Sequence, residues 1–138
     1  MNSRQRKTYQ GRSQALRRLG FASYADYQAS GLWKTIRRRV YEAKGTQCCC
    51  CGNEAQAIHH TEYGDSDMLG RTLKHLFPIC NACHVKIEFD GSTKLNPRQS
   101  LRKFHSLRAR YESRLKQQQD EQAEQRAELA WIAESFPQ

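Results

Sequence analysis

The clearest pattern of hydrophobic and polar positions follows Ser30. Apolar side chains recur there at intervals of three and four residues: Leu32, Trp33, Ile36 and Val40. This spacing places them on one face and predicts an amphipathic helix that ends at Gly45. Trp33 is interpreted as a core residue of that helix. Basic residues occupy much of the opposite face, so one side is available for solvent or a partner.

The segment before this helix predicts less order. Residues 1–12 are polar and basic, which is typical of a flexible arm, and residues 13–19 predict a short helix that ends at Gly20. Ser23 is a suitable N-cap residue for a second short helix, because its hydroxyl can accept a hydrogen bond from the first turn.

The middle of the chain predicts two short strands, at 55–61 and 76–79, joined by a polar loop at 62–74. Pro78 cannot donate a ladder hydrogen bond, so it predicts an edge position for the second strand. A helix is expected from Cys80 to about Phe89. The order is therefore strand, loop, strand and helix within about 35 residues.

A long helix is predicted after Asn96 and Pro97, which suit the N-cap and first helical positions. Its apolar stripe is thin: Leu101, Phe104, Leu107, Tyr111 and Leu115. Residues 117–125 are almost wholly polar, and apolar character returns at Leu129, Trp131 and Ile132. The last segment could dock elsewhere, pair with a second copy or fray, and the sequence leaves these alternatives open.

Together these elements predict a small, mostly helical α+β protein in three segments. They are a basic helical N-terminal arm (1–45), a core that contains two Cys-x-x-Cys pairs (46–92) and a long C-terminal helix or tail (93–138). The 138 residues are 38% hydrophobic, so the apolar core must be small. Small cores commonly need a staple such as structural zinc.

Composition predicts the compartment in which the protein is found. No apolar run is long enough to cross a bilayer, and the first residues lack the apolar stretch of a signal peptide, so we expect an intracellular (cytoplasmic) protein without a membrane partner. In a reducing compartment six cysteines favour metal over disulfides.

The net charge of +9 is unevenly distributed. Residues 1–44 carry 11 Lys and Arg against 2 acids, and residues 91–116 carry 8 against 1. Residues 45–90 carry 3 against 6, and the tail at 117–138 carries 1 against 5. Two basic segments on either side of a mildly acidic centre predict a nucleic acid or another polyanion as partner.

The acidic centre contains two Cys-x-x-Cys pairs separated by 28 residues. Each pair presents two sulfurs from a tight turn, and two such turns can complete a tetrahedral zinc site: Cys48, Cys51, Cys80 and Cys83. Cys49 and Cys50 stand between the first two ligands, so the choice of sulfurs is formally open. The two-residue spacing favours Cys48 and Cys51.

Histidines near these pairs predict a second kind of site. Side chains alternate along a strand, so His59 and His60 should face opposite sides, one toward a metal and the other toward a substrate. His84 and Glu88 are four residues apart, so on a helix they lie on the same face and can share a cation. His59 would be the third ligand of that cation. His60 could then take a proton from an attacking water. The alternative is a zinc ribbon without catalysis.

The stretch from Cys48 to Phe89 resembles HNH endonucleases in which a ββα-metal finger lies inside a four-cysteine zinc frame. The resemblance covers about residues 24–90. The matching motifs are C-x-x-C-G at 48–52, the His59-His60 pair after Ile58, Tyr63, and L-x-x-I-C-x-x-C-H at 76–84.

The resemblance implies that His59 is a metal ligand and that His60 is the general base. His84 matches the first helix ligand, and Glu88 stands where histidine is common, which shifts the metal preference toward Mg²⁺ or Mn²⁺. Zn²⁺ and Ni²⁺ are further candidates. His75 stands at the position of the asparagine that steadies the loop carrying the base.

The function implied by the resemblance is metal-dependent hydrolysis of DNA, by nicking or double-strand cleavage, in a protein encoded by a bacterium or phage. Basic residues of two helices are expected to bind the DNA backbone: Lys34, Arg37, Arg38, Arg39, Arg98, Arg102 and Lys103. The alternatives are a non-catalytic zinc-ribbon DNA-binding module and an adaptor, with a homodimer or protein partner bound through the C-terminal helix.

Overall fold

The computed structural model describes residues 2–137, so Met1 and Gln138, which end the predicted outer segments, lie outside the described residues. The described residues form seven helices and four short strands: α1 (Ser3–Arg6), α2 (Tyr9–Arg18), α3 (Tyr24–Ala29), α4 (Gly31–Lys44), β1 (Ala57–His60), α5 (Asp65–Met68), β2 (Leu76–Ile79), α6 (Asn81–Glu88), β3 (Phe89–Asp90), β4 (Thr93–Lys94) and α7 (Pro97–Ser135). The fold is small, α+β and mostly helical.

Side-chain caps fix the starts of three helices. The hydroxyl of Ser23 accepts from the Asp26 amide at 3.1 Å, and that of Ser30 accepts from the Trp33 amide at 3.2 Å. At α7 the Asn96 side chain accepts a hydrogen bond from the amide of Gln99. The caps at Ser23 and Asn96 occur where the sequence predicted them. Each of the three caps satisfies an amide that the first helical turn leaves without a partner.

The centre of the fold is an antiparallel hairpin of β1 and β2. His59 pairs with Phe77 and His60 with Leu76, and helix α6 follows directly after β2. A second, two-residue pair joins β3 to β4. Strand, loop, strand and helix therefore occur in the predicted order.

The two faces of the hairpin bury different hydrophobic clusters. One face contributes Ile58 and Leu76 to an N-terminal cluster that contains Trp33, Ile36 and Val40 of α4. The interpretation of Trp33 as a core residue is thus confirmed, at 7% exposure.

The other face contributes Phe77 and Ile79 to a second cluster. That cluster contains the zinc-motif cysteines, Ile87 of α6 and Phe104 of α7. Adjacent residues of a strand therefore face different hydrophobic clusters. His59 and His60 are adjacent in β1, so their side chains have different neighbours.

Helix α7 packs on the domain through its first half and extends beyond it. Tyr111 and Leu115 are partly buried, and the described residues after them, 116–137, are all exposed. Large apolar side chains are among these exposed residues: Leu129, Trp131, Ile132 and Phe136. Within the described part of the chain, no helix is long and apolar enough to cross a membrane.

Two expectations about local order are wrong. Residues 2–12 are not a flexible arm: they form α1 and the start of α2, which begins at Tyr9 rather than at residue 13. The side chain of Thr8 caps α2, and the carbonyl of Arg6 accepts a 2.6 Å hydrogen bond from the amide of Tyr63. The 62–74 loop also contains a helical turn, α5.

Candidate functional site

Four cysteines converge at the end of the hairpin. The sulfurs of Cys48, Cys51, Cys80 and Cys83 all lie within 4.8 Å of one another. The Cys51 and Cys80 sulfurs are 3.7 Å apart. Four thiolates at about 2.3 Å from a tetrahedral zinc ion would be about 3.8 Å apart, so the group fits zinc. These cysteines are positioned to bind a metal ion.

Hydrogen bonds around the sulfurs favour the thiolate form of one ligand. Burial opposes ionisation of Cys80, but hydrogen bonds from the Cys83 amide and from neighbouring thiols outweigh it and lower the pKa of Cys80. The thiolate is the form that binds metal. Cys49 and Cys50 lie outside the group of four, and a hydrogen bond with Cys49, together with burial, raises the pKa of Cys50.

The neighbouring histidines of β1 face opposite sides of the hairpin, as alternation predicts. The ring of His59 lies 5.4 Å from that of His84 and 4.8 Å from that of Phe104, centroid to centroid. The ring of His60 is stacked between those of Trp33 and Tyr63, at 5.3 Å from each. His59 therefore faces α6 and α7, whereas His60 faces α4 and the loop after β1.

His59, His84 and Glu88 are neighbours, but their donor atoms do not all lie within 4.8 Å of one another. The Nε2 atom of His84 is 3.2 Å from the Oε1 atom of Glu88. Imidazoles that share a cation at about 2.1 Å have ring centres about 5 Å apart, close to the separation of His59 and His84. Two of the three pairings thus have suitable spacing, and a shared cation remains a prediction.

Burial decides the charge state of the paired histidines. It lowers the pKa of His59 to about 4, with the nearby His84 acting in the same direction. It also lowers the pKa of His60 to about 3, and the charges of His59 and Arg12 add to this effect. Both rings are therefore neutral at pH 7, which is the form that binds a metal or accepts a proton. A hydrogen bond from His84 lowers the pKa of Glu88.

A cleft opens over these side chains. Its two adjoining hollows share Tyr9, His59, His60, Tyr63 and Glu88. Four cationic residues line one hollow or the other: Lys7, Arg12, Arg37 and Lys94. The Nε2 atom of His60 is buried and has no hydrogen-bond partner among the described residues, although His60 is among the residues that line both hollows.

His75, at the motif-asparagine position, is not among the residues that line this cleft. Its Nδ1 atom lies 2.7 Å from the Oδ1 atom of Asp67 and 3.5 Å from the Oε2 atom of Glu62. Its backbone carbonyl accepts a 2.9 Å hydrogen bond from the amide of Thr61, the residue after His60. His75 thus ties the loop beyond β1 to the hairpin.

Replacing His75 with alanine is expected to destabilise the fold. Asp67 is 3% exposed, and the substitution removes the imidazole from its buried Oδ1 atom. An unsatisfied buried group of this kind costs about 1–3 kcal/mol, so urea unfolding should show a loss of that size for His75→Ala. His105→Ala, on the exposed face of α7, is the matched control, and equal stability of the two variants would contradict the role of the pair.

The seven predicted DNA-binding residues are placed differently from one another. Lys34, Arg38, Arg98 and Arg102 are exposed, and Arg37 lines the cleft. Two others bind backbone carbonyls: Arg39 donates to Gly70 at 2.7 Å, and Lys103 donates to Phe89 at 3.2 Å. DNA binding by the set remains a prediction.

Sequence patterns do not indicate four of the cleft residues: Lys7, Tyr9 and Arg12 in the N-terminal segment and Lys94 on β4. The hydroxyl of Tyr9 lies 3.4 Å from the Oε1 atom of Glu88. These contacts join residues about 80 positions apart, so no local pattern predicts them. The local signals that this segment is helical are the Asn2 and Gln5 capping box of α1 and the Thr8 cap of α2.

Comparisons with protein-family models, with curated proteins and with solved structures found no match to the chain. Function is therefore inferred from the residues and the geometry of the site.

Proposed function

We propose that this protein is a metal-dependent endonuclease that hydrolyses DNA phosphodiester bonds. The observation that carries the proposal is the cleft. It brings a buried, neutral His60 close to His59 and Glu88 and is lined with cationic side chains. A neutral base, candidate metal ligands and cations are the groups that phosphodiester hydrolysis requires.

His59, His84 and Glu88 would hold the catalytic divalent ion, with Mg²⁺ or Mn²⁺ favoured by the carboxylate. Such an ion stabilises the negative charge that builds on the phosphate oxygens during hydrolysis. The positions of His59 on β1 and of His84 and Glu88 on α6 support this role. The cysteine group, which joins the start of α6 to the 48–51 turn, would keep strand and helix in register through its zinc ion.

His60 would take the proton from the water that attacks phosphorus. Its Nε2 atom has no partner among the described residues, and its ring is held between two aromatic rings, so its orientation is fixed before substrate arrives. Fixed orientation of a proton acceptor contributes to rate because no reorganisation is needed during the reaction. The departing 3′ oxygen would take its proton from solvent at the open side of the cleft.

The cations around the cleft would bind the DNA backbone on both sides of the reacting phosphate. Lys7 and Lys94 line one hollow, and Arg37 lines the other. The exposed basic residues of α4 and of the first half of α7 extend this positive surface. Such contacts position a duplex without reading its sequence, and they predict strongly salt-dependent binding.

The test is cleavage of supercoiled plasmid by the zinc-loaded chain in Mg²⁺, Mn²⁺, Ni²⁺ or additional Zn²⁺. We expect nicked circles with Mg²⁺ or Mn²⁺, and linear product as well if two copies act together. Intact plasmid with every ion, under conditions in which the protein binds DNA, would contradict the proposal.

A non-catalytic zinc-containing DNA-binding module is the second candidate. Two observations favour it. His84 and Glu88 pair directly with each other, and the donor atoms of His59, His84 and Glu88 do not all lie within 4.8 Å of one another. It predicts salt-sensitive DNA binding with no cleavage by any ion. The plasmid assay separates the two candidates in one experiment.

The exposed apolar end of α7 supports an additional contact with a protein partner or a second copy. Leu129 and Trp131 are 66% and 61% exposed, and Ile132 and Phe136 close to them in the chain are exposed as well. A group of exposed apolar side chains is typical of an interaction surface. A chain without residues 117–138 should keep its fold, because none of the described residues in this range is buried. Its mass in solution, compared with that of the full chain, tests self-association through the tail.

A further inference from the structure

Arg12 is held in the cleft by aromatic rings. The central carbon of its guanidinium group lies 3.8 Å from the centroid of the Tyr24 ring, 4.7 Å from that of Tyr9 and 5.7 Å from that of Tyr63. Cation–π contacts of this kind fix the plane and the direction of the group. The aliphatic stem therefore has little freedom, and the donors of the guanidinium have a defined position.

The surroundings of Arg12 supply no negative charge that would neutralise it directly. Burial raises the pKa of Tyr24 and of Tyr63, so these phenols stay uncharged at neutral pH. None of the ion pairs among the described residues includes Arg12. Its Nε atom is buried without a hydrogen-bond partner among those residues.

Another arginine of the same helix, Arg18, has a carboxylate partner and is more exposed to solvent. Arg18 lies 2.7 Å from a carboxylate oxygen of Asp65 and is about half exposed. A buried guanidinium donor without an acceptor costs free energy, whereas an exposed and paired one does not. Arg12 therefore has the environment of a group whose acceptor is a ligand.

Arg12 lines the same hollow as His59, His60, His84 and Glu88. The guanidinium fork matches two oxygens of a phosphate group. Among the hollows described, this one alone contains all three candidate metal ligands. A phosphodiester bound to an ion on those ligands would therefore enter the hollow that Arg12 lines.

We propose that Arg12 is a phosphate-binding residue that holds the scissile phosphodiester through its guanidinium fork. The inference deepens the proposed nuclease function and rests on it for the identity of the ligand. Arg12 would act on the non-bridging oxygens, where negative charge increases during hydrolysis. It should therefore affect the rate more than the ground-state affinity.

The test uses Arg12→Met, which keeps an apolar stem against the tyrosine rings and removes the charged fork, and Arg12→Lys, which keeps only the charge. Arg17→Met is the matched control, since Arg17 is an exposed residue of the same helix outside the cleft. Zinc content and thermal unfolding establish that each variant is folded. The readouts are the single-turnover cleavage rate and the affinity for a short duplex.

For Arg12→Met we expect a rate about 100-fold below that of the wild type, as for loss of one preorganised donor to a developing oxyanion. Affinity should fall less, and the slope of log affinity against log salt should shrink by about one. Arg12→Lys should recover part of the affinity but little of the rate, because an ammonium cannot form the bidentate contact. Arg17→Met should match the wild-type rate.

A duplex with one neutral methylphosphonate at the cleavage position separates this inference from the proposed function. Arg12→Met should bind this duplex as tightly as the wild type does, while it binds the fully charged duplex more weakly. Equal losses on both duplexes, or a folded Arg12→Met that cleaves and binds like Arg17→Met, would overturn the role of Arg12. If the wild type cleaves nothing, the nuclease proposal fails, and the comparison of the charged duplex with neutral-linkage duplexes still decides whether Arg12 binds phosphate.

Discussion

Serine at Cys48, Cys51, Cys80 or Cys83 is expected to abolish zinc binding and unfold the domain. Structural zinc contributes about 10–16 kcal/mol of apparent binding free energy in small zinc domains, as much as the whole stability of a typical domain. Here the cysteines belong to the second hydrophobic cluster or pack against it, and Cys80 caps α6, so their loss removes both ligands and core. Circular dichroism and elemental zinc analysis measure the two effects.

Cys49→Ser is the matched control for this prediction. Cys49 belongs to the same cysteine run but lies outside the group of four. It should keep one zinc per chain and a cooperative thermal transition. A Cys83→Ser chain that is zinc-free and as stable as the wild type would contradict the view that sulfur-bound metal holds the fold together.

Replacing His60 with phenylalanine is expected to abolish cleavage while preserving the fold. A positioned general base contributes about 10²- to 10⁴-fold to rate, and the nuclease proposal gives this role to His60. Phenylalanine can occupy the aromatic slot between Trp33 and Tyr63, and it removes a buried nitrogen that has no described partner. The variant should thus be as stable as the wild type, or more so.

His60→Ala provides the comparison. It should lose the same activity and also destabilise the domain, because it leaves a cavity beside Trp33. Plasmid nicking with Mn²⁺ and urea unfolding measure activity and stability separately. Nicking by folded His60→Phe at the wild-type rate would remove His60 from the base role and leave it as a core residue.

Local signals predicted much of the secondary structure. Ser23, Ser30 and Asn96 cap helices because their side-chain oxygens accept amide hydrogen bonds within the first turn, a property of a few adjacent residues. The prediction of a flexible arm in the N-terminal segment is wrong because Gly11 and the dense charge are also typical of a loop. Gly11 is buried in α2 against the backbone of Gln5, a packing contact that composition does not reveal.

The site was predictable only as far as spacing determines it. Two Cys-x-x-Cys pairs specify the sulfur group, and strand alternation separates His59 from His60. The i and i+4 spacing brings His84 to Glu88. The placement of Lys7, Arg12 and Lys94 around the cleft depends on how α2 and β4 pack against the hairpin. Contacts over such long sequence separations are set by the tertiary fold.

The number of metal ions that the folded chain binds tests whether a second metal site exists beside the cysteine group. Mn²⁺ is titrated into zinc-loaded protein and followed by electron paramagnetic resonance, with His59→Ala as the comparison. We expect that one zinc per chain is retained and that one further Mn²⁺ binds, with this second ion lost in His59→Ala. Zinc-loaded wild type that binds no Mn²⁺ would contradict the two-metal account and leave a zinc-stapled DNA-binding module.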